Sequence, residues 1–81
     1  MNVKSLRDRL GLSLPAFAHA FNVSKATVER WEIAPPEDHS LAGQIMIGIE
    51  RALDKGVDPE VIGRRVALGI ASLIYFGLVR V

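Results

Sequence analysis

The chain has 81 residues, 49% of them hydrophobic, with ten Lys+Arg against nine Asp+Glu and no cysteine. A chain of that length makes one domain with a small core; without cysteine, disulfides are excluded as its staple, and a reducing, cytoplasmic setting fits. A net charge of +1 is weak for a protein that grips a polyanion, though a local basic patch can still suffice.

Met1 to Ser5 carry no apolar run behind their charges, so no signal peptide is expected. Val3 to Leu10 reads as the first helix. Val3, Leu6 and Leu10 share a face, Lys4, Arg7, Asp8 and Arg9 take other directions, and Gly11 supplies a C-cap. Ser13 can cap a second helix, with Pro15 in its first turn, where a missing N–H costs little. Phe17, Ala18 and Phe21 fall on one face of it. Asn22 stands where the chain must bend sharply, and after Gly it is the residue that best tolerates a left-handed backbone. Ser24 can cap a third helix, whose Val28 and Trp31 point back at the second. Ala18 is small and lets the two helices approach. Lys25, Ala26, Glu29 and Arg30 are then displayed outward. Two short helices joined by a tight turn make the pattern of a helix-turn-helix, whose second helix reads the DNA major groove.

Ile33 to Asp38 reads as a loop fixed by Pro35-Pro36. His39 or Ser40 opens a fourth helix, with Leu41, Ile45, Ile49 and Leu53 as its buried face and Lys55-Gly56 at its close. Asp58-Pro59-Glu60 starts a fifth: an N-cap, Pro at the first position, and an acid favourable to the dipole. Val66 to Val79 is apolar almost all round, broken only by Gly69, Ser72 and Gly77. A helix of that kind is buried in a core, an interface or a bilayer. The run is shorter than the ~18–20 residues a membrane span needs, and Arg64, Arg65 and Arg80 bracket it, which disfavours a span. Leu73 to Phe76 and Leu78 to Val81 are also good strand formers, so the chain can end as a helix or as a short strand paired across a dimer.

From Val3 to Leu53, about two-thirds of its length, the chain resembles the Xre / phage-repressor-like (lambda repressor-like) helix-turn-helix proteins. Their signature runs roughly Ser-Gln-x-x-(Leu/Phe)-Ala-x-x-x-Gly-Val-Ser-x-x-x-Val-x-x-Trp-Glu. Ser13, Phe17, Ala18, Val23, Ser24, Val28, Trp31 and Glu32 match it at the right spacing. Leu14 replaces the Gln that commonly touches a phosphate, and Asn22 replaces the Gly of the turn. The resemblance also implies a structural pair. In related repressors an Arg of the first helix meets the Glu that follows the Trp-like core position, and those positions match Arg7 and Glu32.

Arg30 is the best candidate for reading a base, because an Arg on such a helix can bond guanine O6 and N7 together. The plainer alternative is a solvated Arg, or one paired to Glu29 or Glu32. Lys25 has the same two readings. Ala26 can offer only apolar contact to a thymine methyl, and Thr27 contacts phosphate or packs locally. Glu29 either accepts from cytosine N4 or stands as a charge at the rim of the groove. Ser13 and Ser24 complete the candidate DNA contacts, with Lys4, Arg9 and the N-termini of the second and fourth helices as further sources of phosphate contact. The acids Glu37 and Asp38 stand where relatives often carry Lys or Arg. Trp31 reads as core. His19 and His39 stand alone, no carboxylate cluster has ligand spacing, and no nucleophile–base set or glycine-rich phosphate loop is present, so neither a metal, a cofactor nor an enzyme activity is expected.

These readings converge on an all-α, compact five-helix domain spanning residues 1–81. Residues 1–55 form a DNA-binding core, and 58–81 an apolar C-terminal dimerisation segment, with self-association carried by 61–79. The expected function is sequence-specific binding of duplex DNA at an inverted repeat, as a small dimeric regulator of transcription, most simply a repressor. The alternative is an antitoxin-like or accessory module whose apolar C-terminus binds another protein, with DNA binding secondary or lost. A membrane-associated regulator anchored by residues 66–79 is a third reading.

Overall fold

In the computed structural model, which describes residues 1–71, five helices follow one another: α1 (Val3–Leu10), α2 (Leu14–Phe21), α3 (Lys25–Ile33), α4 (Leu41–Asp54) and α5 (Pro59–Ala67). The described residues contain no strand. Each helix starts on a side chain that accepts a hydrogen bond from a backbone N–H of its first turn. Asn2 Oδ1 accepts from Ser5 at 2.9 Å, Ser13 Oγ from Ala16 at 3.2 Å, Ser24 Oγ from Thr27 at 3.1 Å, Ser40 Oγ from Gly43 at 3.0 Å, and Asp58 Oδ1 from Glu60 at 2.9 Å. Of the two openings expected for α4, Ser40 is the one used. Gly11 (φ 68°) and Asn22 (φ 56°) end α1 and α2 in the left-handed region.

The core draws on every helix. Val3 and Leu6 of α1, Phe17 of α2, Val28 of α3, Ile45, Met46 and Ile49 of α4, and Ile62 and Val66 of α5 are all buried. α2 packs against both α3 and α5, and α1 against α3, α4 and α5. Two close approaches set this geometry. A Cβ added to Gly63 would lie 2.6 Å from the Leu10 carbonyl oxygen, so α5 rests directly on the end of α1. A Cβ on Gly43 would land on the Glu37 carbonyl oxygen, so the loop before α4 lies flat on that helix's first turn. Both positions therefore exclude any larger residue without a backbone shift.

Four details differ from the sequence reading. Leu41 is 55% exposed instead of buried. Four-residue steps rotate by about 40° each around a helix, so a run of three such steps spans too wide an arc for one face; Gly43, Met46 and Ala52 take the inner positions with Ile45, Ile49 and Leu53. Ile33 belongs to α3, not to the loop, and the helix ends on Ala34 (φ −134°, ψ 102°). The residue before a proline is driven out of the helical region, and Ala34 precedes Pro35. Trp31 is only half-buried. Finally, α5 closes at Ala67, and Gly69 at φ 112° takes the chain out of the helix, so the apolar run beginning at Val66 is not one continuous helix. The expectations that fall on 72–81, an apolar C-terminal helix or a dimer-pairing strand, lie outside the described residues. Among those described, no helix is long and apolar enough to cross a membrane.

Candidate nucleic-acid interface

α2 and α3 are joined by three residues, Asn22, Val23 and Ser24. The left-handed Asn22 turns its own N–H onto the Ala18 and His19 carbonyls, and Val23 N–H donates to Ala18 O at 3.0 Å. The Ala18 and His19 carbonyls of the last turn of α2 are thus satisfied inside the turn, and the chain re-enters a helix at once through Ser24. Ala18 is 3% exposed at this crossing. The Phe17 and Phe21 rings stand 4.9 Å apart, and Trp31 meets Phe21 edge-on with centroids 5.8 Å apart. Aromatic contacts have preferred geometries, and the Phe21–Trp31 contact is the one that links α2 to α3.

Arg7 and Glu32 form the expected pair. Glu32 Oε1 accepts from Arg7 Nε at 3.1 Å and lies 3.1 Å from Nη2, while Arg7 Nη1 donates to the Leu12 carbonyl at 3.1 Å. The two side chains are 15% and 20% exposed. This pair ties α1, the α1–α2 connection and α3 together at one point.

Only one side of α3 faces the core, through Val28 with Thr27 and Trp31 half-buried beside it. Lys25, Ala26, Glu29 and Arg30, the four residues expected to face outward, are all exposed, and so is Ile33 at 88%. Ser13 and Ser24 are exposed at the starts of α2 and α3, where their Oγ atoms also serve as caps. Thr27 does not simply pack: its Oγ1 lies 3.0 Å from Ser24 Oγ and accepts from Arg30 Nη2 at 3.1 Å. Three candidate residues are therefore joined along one edge of the helix. The spacing Ser24-x-x-Thr27-x-x-Arg30 was the available signal, since residues three apart are neighbours on a helix surface.

The other cations are disposed differently. Arg9 bonds Asp54 at 3.2 Å, tying α1 to the end of α4. Lys4 is exposed on α1. In the acidic loop, Glu37 Oε2 lies 2.9 Å from His39 Nε2, and both side chains are largely exposed. The Glu37 carbonyl accepts from Ser40 Oγ at 2.7 Å, and this bond holds the loop against α4. Among the described residues, no group of three or more His, Cys, Asp or Glu is arranged to hold a metal ion. No protein-family model matches the chain, and no curated protein or solved structure matches it.

Proposed function

We propose that this chain binds duplex DNA sequence-specifically as a small dimeric transcriptional regulator, acting as a repressor, with α2 and α3 as a helix-turn-helix and α3 in the major groove. The observation that carries the reading is α3 itself. It is a short helix anchored on one side through Val28 and displaying Lys25, Ala26, Glu29 and Arg30 to solvent on the other. A helix of that kind fits a groove about 12 Å wide and offers an Arg for the guanine edge. Its exposed N-terminus, capped by Ser24, and Lys25 suit the phosphates alongside. The site would be an inverted repeat, its half-sites about one helical turn apart.

The test is selection of binding sites from random duplexes by the full chain, followed by a salt titration of the selected duplex. A single enriched inverted repeat is expected, with affinity falling linearly in log–log against salt. On that duplex, Arg30→Ala is expected to cost about 1–3 kcal/mol and to relax preference at one base per half-site. A selection that enriches nothing, or an Arg30→Ala protein with unchanged affinity and base preference, removes the reading.

Dimerisation through residues 61–79 belongs to the same proposal. Within the described part of that span, Val61 (36%) and Leu68 (75%) are exposed apolar residues seven apart, on one face of α5 and its cap. Sedimentation at micromolar concentration is expected to give a dimer, and Val61→Asp with Leu68→Asp to shift it toward monomer. A wild-type chain that sediments as a monomer withdraws the dimer.

A second reading has one observation in its favour. Ile33 and Leu41, 88% and 55% exposed, lie at the two ends of the segment that carries Glu37 and Asp38. Apolar groups beside acids suit a basic protein partner better than a phosphate backbone, and an interaction module of the antitoxin-like or accessory kind would use this surface. An empty duplex selection together with a dimer in solution favours it.

A further inference from the structure

We infer that Thr27 is a positioning residue for Arg30: its hydroxyl holds the guanidinium at one angle over the exposed face of α3, and so sharpens base preference at the position Arg30 reads. The inference rests on the proposed DNA reading and goes beyond it, because it assigns specificity to a side chain that need not touch DNA.

The geometry begins at the N-cap. Ser24 Oγ accepts the Thr27 backbone N–H at 3.1 Å and lies 3.0 Å from Thr27 Oγ1. Arg30 Nη2 then donates to Thr27 Oγ1 at 3.1 Å. An arginine has no acceptor, so the direction of this last bond is fixed. A hydroxyl oxygen has two lone pairs, so Thr27 Oγ1 can take the Arg30 N–H and still share a bond with Ser24 Oγ, with either hydroxyl as its donor. Arg30, Thr27 and Ser24 are thereby linked in one hydrogen-bonded row along the edge of the helix.

Thr27 suits this place for two reasons. A β-branched side chain is stiff at χ1, so its hydroxyl sits where the backbone puts it. Thr27 is also half-buried beside Val28, which restrains it further. Arg30, by contrast, is exposed on a long stem with much rotamer freedom. The bond to Thr27 uses one of its five N–H donors and leaves the rest for a ligand. An arginine already held in one orientation loses less freedom on binding, and it tolerates a displaced or different acceptor less well.

The test uses the full chain and the duplex that wild type selects from random sequence, with its single-base variants at the Arg30-sensitive position. Thr27→Val removes the hydroxyl and keeps the shape. It is expected to lower discrimination at that position about three- to tenfold, the size of one ordinary hydrogen bond. Thr27→Ser keeps the oxygen without the branch and is expected to fall between Val and wild type. In an Arg30→Ala background, Thr27→Val is expected to change discrimination no further, because the residue it positions is gone. Thermal melts of all variants establish that each is folded. Thr27→Val with wild-type discrimination, Ser behaving as Val, or a full additional loss in the Arg30→Ala background each overturns the inference while leaving the DNA reading in place. Arg30→Ala without effect, or a selection that yields no duplex, overturns the DNA reading and this inference with it.

Discussion

Phe17→Ala is expected to destabilise the chain by about 3–5 kcal/mol, the range for truncating a fully buried aromatic ring. Native stability runs at roughly 0.05–0.15 kcal/mol per residue, so a chain of this length has about 4–12 kcal/mol in all. One substitution therefore removes a large share of it. Phe17 is fully buried, and its ring meets Phe21 at 4.9 Å, which in turn meets Trp31. The truncation empties the centre of α2 and removes the ring against which Phe21, the partner of Trp31, is packed. Phe17→Leu keeps most of the volume and should cost less than about 1.5 kcal/mol, as shape-tolerant swaps do. Urea melts of the two variants test this. Similar midpoints for Ala and Leu would mean that the site collapses around the loss and that the ring does not organise the crossing.

Most of the fold was legible in the sequence because its punctuation is chemical. Gly11 and Asn22 end helices in the left-handed region, where few other residues go cheaply, and Ser13, Ser24, Ser40 and Asp58 each start one with an oxygen aimed at a backbone N–H. Such signals are local, so they survive without knowledge of the tertiary structure. The parts where the structure differs are set by helix geometry and packing that no single local signal carries. Leu41 has the spacing of a buried residue, yet it stands three four-residue steps from Leu53, outside the arc that Ile45, Met46 and Ile49 bury. Trp31 looked like core by size, yet it lies at the edge of the α2–α3 crossing and stays half-exposed. Gly69 was visible as a break in hydrophobicity, but not as the place where α5 has already ended.

The candidate site divides in the same way. That Lys25, Ala26, Glu29 and Arg30 face outward follows from the position of Val28 and a helical period of 3.6. The direction in which Arg30 lies along the helix does not follow. It depends on a contest among Glu29, Glu32 and Thr27 for one guanidinium, and the sequence weighted only the two acids. Glu32 is engaged by Arg7, while Thr27 is one turn back along the same edge with its hydroxyl held by Ser24. Arg9, a candidate for phosphate contact, is engaged by Asp54, a partner 45 residues away that no local pattern reveals.

Glu32→Ala is expected to destabilise the fold by about 2–3 kcal/mol, and Glu29→Ala by under about 0.5 kcal/mol, although the two residues are three apart on one helix. The difference lies in what each removal leaves behind. Glu29 is exposed, and water replaces whatever it loses. Removing Glu32 strands the Arg7 guanidinium, which is 15% exposed and keeps only its bond to the Leu12 carbonyl. Breaking a fully buried pair costs about 3–5 kcal/mol, and the residual exposure of these two side chains brings the expectation down from there. The pair as a whole adds less than either truncation suggests, because two charges had to leave water to form it. Arg7→Met with Glu32→Leu should therefore recover most of the loss seen in Glu32→Ala. Denaturant melts of the four proteins decide the matter. Equal midpoints for Glu32→Ala and Glu29→Ala would mean that Glu32 is in effect solvated. If the double variant is as stable as wild type yet binds the selected duplex more weakly, the pair acts by holding α3 at a fixed angle to α1, and its contribution belongs to geometry instead of stability.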